Sequence, residues 1–470
     1  MTETKQHSRS KKFLKDFGVY SVGVLGSKLI TFVMFALYTF FVEKPKDLGY
    51  YDLCLQICFM LVPIVTLQMR DGAFRFLLVT KDEKKKKQII SFTLNTGLVS
   101  FLSTIIIAYF VSLFKPIPYL PYIVALLILL ASVEVFIQIV RGLGHNKIFV
   151  TSNLISTFGI GVFSIIFVVF MSMGIKGIFL ANIIARLFSL IYCEFRVKII
   201  RNYYFFNLNL KTIGKELLRY TIPLIPVALC WWITSSSNRI FIKMYLGLDV
   251  AGIYAVSVRM VSILYTLGII FYQTWQENAI QQYNSNDRDL FFSNVFNSYA
   301  AVLTCILIFY VFILKHVYPI IISTNYQGGF EYLYLLGFSA MLYTLTSYFE
   351  LGYQCAKDTK RAITSIVLTA LLAIGLNFIL VRTIGIYGII LSSILSYLFL
   401  FTYRFFETKR YFKLSLSKNL IIYLILIVVG GIIYYKNLPL WGDATFLLFA
   451  SVIYLKLLPI KELKNRFLKQ

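Results

Sequence analysis

Long apolar runs follow one another along this chain and limit what it can fold into. Roughly fourteen such runs, each of about 20 residues, are separated by short clusters of charged residues, and a run of that length crosses a hydrocarbon layer about 30 Å thick as a helix. Within lipid, only helices and closed barrels satisfy all their backbone polar groups. The runs lack the period-two alternation of barrel strands. The sequence therefore predicts an all-α, polytopic membrane protein with about 14 transmembrane helices.

Composition and charge agree with a membrane protein. Hydrophobic residues make up 59% of the 470 residues, charged residues only 14%, and the mean hydropathy is +0.76. A formal net charge of +25 would suggest nucleic-acid binding in a soluble protein. Here the cations concentrate in alternate loops, such as Lys84 to Lys87, whereas the intervening loops hold one or two, such as Lys44 or Lys176. This asymmetry predicts that the cation-rich loops and both termini are cytoplasmic, with no nucleic-acid partner.

The predicted spans follow from the apolar runs, with edges uncertain by several residues. They are 17–42, 49–69, 88–114, 119–140, 148–173, 177–199, 220–246, 250–275, 290–317, 330–355, 362–381, 387–406, 420–435 and 446–458.

An internal repeat divides these spans. The segment around Gly49 at the second span matches the segment around Gly252 at the eighth, and Gly174 and Gly385 occupy equivalent loops before the sixth and twelfth. Both spacings slightly exceed 200 residues, so each half holds six helices in the same orientation. We predict a six-helix lobe (1–200), a cytoplasmic linker (201–219), a second six-helix lobe (220–412) and two additional helices (413–470). Glycine-aromatic loops are also common in membrane proteins, which is the alternative explanation.

Four cations lie well inside predicted spans, away from the span ends: Lys28, Arg186, Arg239 and Arg259. An ionisable group at membrane depth costs at least about 2.5–3.5 kcal/mol on insertion scales, so each should face a bundle interior or water. The alternative for any one of them is snorkelling or pairing with a carboxylate. Intramembrane acids are few, and we interpret them as helix caps or local pairs; they are Asp52, Glu134, Glu194 and Glu350.

Polar and aromatic residues share helix faces with two of these cations. Trp232, Ser235 and Arg239 recur at helical spacing in the seventh span, and Arg259, Ser262 and Thr266 recur in the eighth. We predict a positively charged, hydrated cavity along these faces. Ordinary packing is the alternative role for the tryptophan.

Prolines interrupt the seventh span. Pro223 and Pro226 each remove a backbone hydrogen bond, which predicts either a hinge or a fixed kink.

Motifs for covalent chemistry are absent from the sequence. There is no GxxxxGK[ST] loop, no HExxH and no paired-cysteine metal site, so we predict neither a cofactor nor a metal. Without a sizeable soluble domain, catalysis is disfavoured and transport is favoured.

At this point several motifs make the chain similar to a known family. They are Lys46-Asp47-Leu48-Gly49-Tyr50-Tyr51-Asp52, Arg70-Asp71-Gly72-Ala73-Phe74-Arg75-Phe76, Arg141-Gly142-Leu143-Gly144, Asn238-Arg239-Ile240-Phe241-Ile242 with Ala251-Gly252-Ile253-Tyr254-Ala255-Val256, and Gly385-Ile386-Tyr387-Gly388. Over nearly its whole length the chain resembles Wzx-type polysaccharide flippases of the multidrug, oligosaccharidyl-lipid and polysaccharide exporter (MOP) superfamily. The family usually has Asp where this chain has Asn238, so an Asp–Arg pairing at that position is not expected here.

The resemblance implies two six-helix lobes, alternating access and a polyprenyl-diphosphate-linked oligosaccharide as cargo. It further implies a cavity lined by helices one, two, seven and eight, three of which carry Lys28, Arg239 and Arg259. The implied setting is the bacterial cytoplasmic membrane, in surface polysaccharide biosynthesis (O-antigen, capsule or exopolysaccharide). Implied partners are membrane lipids, with a polysaccharide polymerase and glycosyltransferases as candidates.

Three alternatives remain at this stage. One is a flippase for the cell-wall precursor lipid II, which differs only in the sugar. A second is a cation-coupled drug exporter, which should have acidic rather than basic cavity residues. A third is a membrane glycosyltransferase or polymerase, which would need acidic catalytic residues and usually a large outer loop.

Overall fold

The structure, a computed structural model, describes residues 26, 28–205, 211–356, 358–436 and 438–457. Both termini, whose cytoplasmic location the loop charges predict, lie outside the described residues. So do the first part of the predicted first span and five residues of the predicted linker.

Helices account for nearly all of the described chain. They are α1 (Lys28–Phe41), α2 (Pro45–Val65), α3 (Met69–Val79), α4 (Glu83–Phe114), α5 (Leu120–Gly142), α6 (Asn146–Ser164), α7 (Gly174–Val197), α8 (Ile199–Tyr203), α9 (Lys211–Thr221), α10 (Leu224–Ser236), α11 (Asn238–Tyr245), α12 (Leu248–Gln282), α13 (Arg288–Ile321), α14 (Leu333–Cys355), α15 (Thr359–Thr408), α16 (Asn419–Tyr435) and α17 (Leu440–Leu457). A π-helical segment, Ile165–Phe170, extends α6, and a 3-10 segment, Thr324–Tyr332, precedes α14.

Each predicted span overlaps helix in the described residues, although the seventh is interrupted. Among the described residues, ten helical segments are long and apolar enough to cross a membrane, one of them the stretch Thr212–Ser236 that joins α9 and α10, and α1 and α16 are shorter apolar helices. The 50-residue α15 contains the eleventh and twelfth spans, separated by a kink at Ile384 and Gly385. Gly385 has φ 60° and ψ −131°, a conformation open to glycine but strained for other residues. The predicted all-α, polytopic membrane fold is confirmed.

The described chain packs as two compact units. One comprises residues 33–252 and the other comprises residues 26 and 28–32 together with 253–457. These boundaries follow packing, whereas the boundaries predicted above follow the repeat. In the first unit α9 packs on α3 and α10 on α2, although the predicted boundaries assign α10 to the second lobe and most of α9 to the linker. The repeat-based division remains a prediction.

Within the first unit, α5 lies at the centre of the packing. It contacts α2, α3, α6 and α7, and its buried face includes Ile137 and Ile139. These side chains form a core with Met69, Ala73 and Cys193 from neighbouring helices. Burial of this apolar core positions α2 and α7, which carry the polar residues of the candidate site.

Within the second unit, α13 is surrounded by α14, α16 and α17. Aromatic side chains fill its interior: Phe296 of α13 packs edge-on against Tyr348, and Phe349 packs edge-on against Phe401 of α15. The contacts of α13 with α16 and α17 hold the two additional C-terminal helices against this unit.

The predicted seventh span is broken into separate helices. Pro223 forms a turn with Ile222 between α9 and α10, and Pro226 lies in the first turn of α10, where its missing N–H would have no intrahelical partner. A second break occurs at Ser237, between α10 and α11. The structure thus places an interruption at the predicted prolines, and movement about it remains a prediction.

Candidate binding site

Arg239 is paired with a carboxylate. Its Nε lies 3.0 Å from Oδ2 of Asp52, and only 7% of the arginine and 1% of the aspartate side chain is exposed. The guanidinium also donates to the carbonyl of Ser235 at 3.4 Å. The pair connects α11 with α2. Asp52 therefore balances the positive charge of Arg239, which the sequence analysis assigned to the predicted cavity.

Other polar residues of the seventh span make bonds to nearby backbone. Trp232 Nε1 donates to the carbonyl of Gln56 at 2.8 Å, a second connection to α2. The exposed hydroxyl of Ser235 donates to the carbonyl of Trp231 at 2.9 Å, and Asn238 is buried at the start of α11. Trp232 therefore has a positioning role here, in addition to the predicted cavity role.

Arg186 occupies the middle of α7 in the same unit. Its Nε is buried and has no hydrogen-bond partner, and its charge interacts with Glu134 and with the Tyr51 hydroxyl. Glu134 also accepts from Arg70 Nη1 at 2.9 Å. Glu134 thus offsets part of the charge of Arg186 while it pairs with Arg70, which also lies 3.7 Å from Asp71.

Lys28 and Arg259 lie in the other unit and are close enough for their charges to repel. Both are partly buried, and within the described residues no carboxylate lies within ion-pair distance of Lys28. On α12, the Ser262 hydroxyl donates to the carbonyl of Arg259 and the Thr266 hydroxyl to that of Ser262. The structure therefore brings together two of the four predicted cations, Lys28 and Arg259.

The intramembrane acids show what sequence reasoning missed. Glu194 accepts from the backbone N–H of Ile200, a local contact as predicted. The prediction of local pairing is wrong for Asp52, whose partner is 187 residues away, and for Glu134, whose partner is 64 residues away. The positions of Asp52 and Gln56, four residues apart on one face of α2, were a signal that this face contacts another element. No group of side chains that could hold a metal ion occurs among the described residues.

Comparison with known proteins assigns the family. A family model for polysaccharide biosynthesis proteins matches residues 13–275, more than half of the chain. The chain belongs to this family. No curated protein matches the sequence. The family assignment agrees with the resemblance drawn from the motifs.

Solved structures of transporters share the fold. An inward-closed structure of the lipid II flippase MurJ matches with a TM-score of 0.72 at 15% identity, over 96% of this chain and 100% of that chain. An inward-facing multidrug resistance MATE family transporter of the MOP superfamily matches with a TM-score of 0.64 at 12% identity, over 83% and 98%. The MATE transporter VcmN of Vibrio cholerae matches with a TM-score of 0.57 at 11% identity, over 86% and 98%. This member of the polysaccharide biosynthesis family therefore has the fold of MOP-superfamily transporters.

Proposed function

We propose that this protein moves a polyprenyl-diphosphate-linked oligosaccharide from the cytoplasmic to the outer leaflet by alternating access, for surface polysaccharide biosynthesis. The family membership and the transporter fold support transport of a polysaccharide precursor. The observation that carries the choice of cargo is the proximity of Lys28 and Arg259, two partly buried cations in a membrane protein. Glycosyltransferases would supply such a cargo and a polymerase would consume it.

Two like charges side by side favour an anionic ligand. Their repulsion and their partial burial both cost free energy in the empty protein, and the opposite charge of a bound diphosphate would offset both costs. Arginine suits this ligand because its guanidinium donates several hydrogen bonds in a fixed geometry, and lysine adds a mobile point charge. We assign diphosphate binding to Lys28 and Arg259; Arg186, which lies in the other unit and whose charge Glu134 partly offsets, stays a predicted binding residue.

The role of Arg239 differs from that of the other cations. Because Asp52 balances its charge, we assign it to holding α11 against α2 rather than to direct diphosphate binding. Trp232 and Ser235 on α10 and Ser262 on α12 are then polar and aromatic contacts for sugars, and the buried Asn238 and Thr266 support these helix faces. Pro223 and Pro226 would be the bending point during alternating access.

The membrane potential offers a way to reset the empty carrier. A full elementary charge that crosses the membrane field gains about 2.3 kcal/mol per 100 mV. The empty cationic site would be drawn towards the cytoplasm, and a bound diphosphate would cancel most of that charge.

The test is translocation of lipid-linked oligosaccharide in reconstituted vesicles by Lys28→Ala and Arg259→Ala variants. We expect each variant to lower the rate at least tenfold, with a smaller loss for Arg259→Lys, which keeps the charge. Lys176→Ala, which removes an exposed cation, is the matched control and should leave the rate unchanged. Unchanged rates in both alanine variants, at normal protein levels, would refute the role of the two cations.

A lipid II flippase is the second candidate, because the structural match with MurJ extends over 96% of this chain and 100% of that chain. The same vesicles loaded with lipid II or with a lipid-linked surface oligosaccharide distinguish the two cargoes. We further propose a bacterial cytoplasmic membrane location with cytoplasmic termini. Terminal fusions to a reporter active on only one side of the membrane test this orientation.

A further inference from the structure

Three tyrosines surround Glu331 at one end of the second unit. Glu331 is an exposed residue of the 3-10 segment. Tyr387 of α15 donates to its Oε2 at 2.7 Å, and Tyr435 at the end of α16 donates to its backbone carbonyl at 2.9 Å. The ring of Tyr332 meets that of Tyr387 edge-on, with 5.8 Å between the centroids and 84° between the planes. Rings from three elements thus form a corner beside one carboxylate, which we call the Glu331 corner.

The local structure explains why these groups meet. Gly385 has the positive φ that kinks α15, and Tyr387 follows two residues later. Tyr434 is buried and donates to the carbonyl of Phe330 at 2.8 Å, directly before the bond that Tyr435 makes. The 3-10 segment is therefore held by α15 on one side and by two consecutive residues of α16 on the other. The corner lies where the predicted span 330–355 begins and the predicted span 420–435 ends, which is the depth of lipid headgroups.

The carboxylate of Glu331 has no cation partner in the described part of the chain. No Lys, Arg or His side chain described here lies within ion-pair distance of it, although the net charge of the chain is +25. Its Oε2 accepts from Tyr387, and Oε1 remains as an acceptor. Lys436, which follows Tyr435 directly, is exposed and also makes no ion pair with any described residue. The surface thus presents one acid and one base whose charges are not used within the described structure.

The tyrosines of the Glu331 corner differ from those of an ordinary aromatic belt. A belt tyrosine places its ring in lipid and keeps its hydroxyl for headgroups or water. Tyr109 on α4 is an example, since it is 62% exposed and its hydroxyl bonds to no described residue. Tyr387 and Tyr435 are 36% and 45% exposed, but their hydroxyls are bonded to Glu331. They therefore offer aromatic ring surface beside an acid, and this combination attracts an organic cation.

We propose that the Glu331 corner binds the headgroup of a zwitterionic phospholipid that carries a primary ammonium. The ammonium packs on the tyrosine rings and donates to Oε1 of Glu331. A quaternary ammonium fits less well, because it has no N–H to donate to the carboxylate. The phosphate of the same headgroup lies toward Lys436, whose charge is opposite.

An apolar stripe on α16 provides the place for an acyl chain. Its exposed side chains recur at spacings of three and four residues before Tyr435 and are Ile421, Ile425, Val428 and Ile432. A lipid-facing helix offers such a stripe in any membrane protein, so the headgroup contacts select the lipid. The acid of the corner, the base at Lys436 and the stripe match the ammonium, the phosphate and the acyl chain of one lipid.

The experiment titrates dioleoyl phosphatidylethanolamine, phosphatidylcholine or phosphatidylglycerol into the purified protein in detergent and measures bound lipid by native mass spectrometry. We expect wild type to bind phosphatidylethanolamine about fivefold more tightly than phosphatidylglycerol and about threefold more tightly than phosphatidylcholine. Glu331→Gln should abolish both preferences, and Lys436→Gln should weaken the binding of phosphatidylethanolamine and phosphatidylcholine alike. Asp249→Asn removes an exposed carboxylate in the other unit, and Tyr109→Leu removes a belt tyrosine. Both are matched controls and should keep the wild-type preferences.

Each alternative has its own outcome. Equal binding of phosphatidylethanolamine and phosphatidylglycerol by wild type would overturn the site, as would a preference that survives Glu331→Gln. Equal binding of phosphatidylethanolamine and phosphatidylcholine would overturn the primary ammonium. Displacement of the lipid by an equal concentration of glucosamine would assign the corner to an amino sugar and overturn the lipid. If Glu331→Gln does not fold, Tyr435→Leu, which removes one ring, tests the same preferences. No transport is measured, so the result is independent of the proposed function.

Discussion

The Asp52–Arg239 pair makes a quantitative prediction about stability. At an effective dielectric constant of about 20, two unit charges 3.0 Å apart attract by roughly 5.5 kcal/mol. Desolvation of both groups offsets much of this attraction, so the intact pair contributes little in net terms. Removing one partner is different, because the remaining charge stays buried without compensation, at a cost of about 3–5 kcal/mol.

The variants are Asp52→Asn, Arg239→Gln and the double substitution, each unfolded at equilibrium in mixed micelles with increasing denaturing detergent. We expect each single variant to lose about 3–5 kcal/mol of unfolding free energy. The double variant should lose much less than the sum, since neither charge is then unmatched, and the coupling energy should exceed about 2 kcal/mol.

An exposed carboxylate provides the control. Asp71 lies 3.7 Å from Arg70 with 38% of its side chain exposed, and Asp71→Asn should cost less than about 1 kcal/mol. The reasoning is refuted if the two single variants lose no more than this control, or if their losses add in the double variant.

Two further predictions use the same unfolding measurement. Gly252→Ala places a Cβ 1.9 Å from the Pro45 carbonyl oxygen and should cost about 1–3 kcal/mol, whereas Gly375→Ala, which has open space, should be neutral or stabilising. Equal stability of the two variants would contradict this close approach. Tyr51→Phe removes the acceptor that lies 2.8 Å from Asn182 Nδ2 and should cost about 1 kcal/mol, and an unchanged stability would show that this buried bond contributes nothing.

Helix positions could be predicted because they depend on a local property, the hydropathy of consecutive residues. The predicted span 119–140 is observed as Leu120–Gly142, and 177–199 as Gly174–Val197. Helix ends outside the bilayer could not be predicted in the same way. The predicted span 250–275 is observed as a helix that continues to Gln282, because hydropathy marks the thickness of the lipid and not the end of the helical hydrogen bonds.

For the candidate site, the sequence predicts which residues need a special environment but not which residues they contact. The insertion cost of a buried charge identifies Arg239 as a residue that needs a compensating environment, but the cost is the same whether that environment is water, a ligand or an acid. Its partner Asp52 is 187 residues away, and only the packing of α11 on α2 brings them together. The same limit applies to Lys315 and Asp443, which the sequence places in different helices and the structure pairs.

Buried cations in this protein have one of two environments, either a nearby carboxylate or a second cation, and the difference bears on function. Arg239, Lys315 and Arg404 each have a carboxylate within 4 Å, whereas Lys28 has none among the described side chains and lies near Arg259 instead. The repulsion from Arg259 and the partial burial of Lys28 both disfavour the charged form of Lys28 in the folded protein. We therefore expect Lys28→Met to raise the unfolding free energy by about 0.5–2 kcal/mol while lowering translocation at least tenfold, since residues kept for function often reduce stability. If Lys28→Met instead destabilises the protein as strongly as Asp52→Asn, then Lys28 supports the fold, and the diphosphate site must be sought elsewhere.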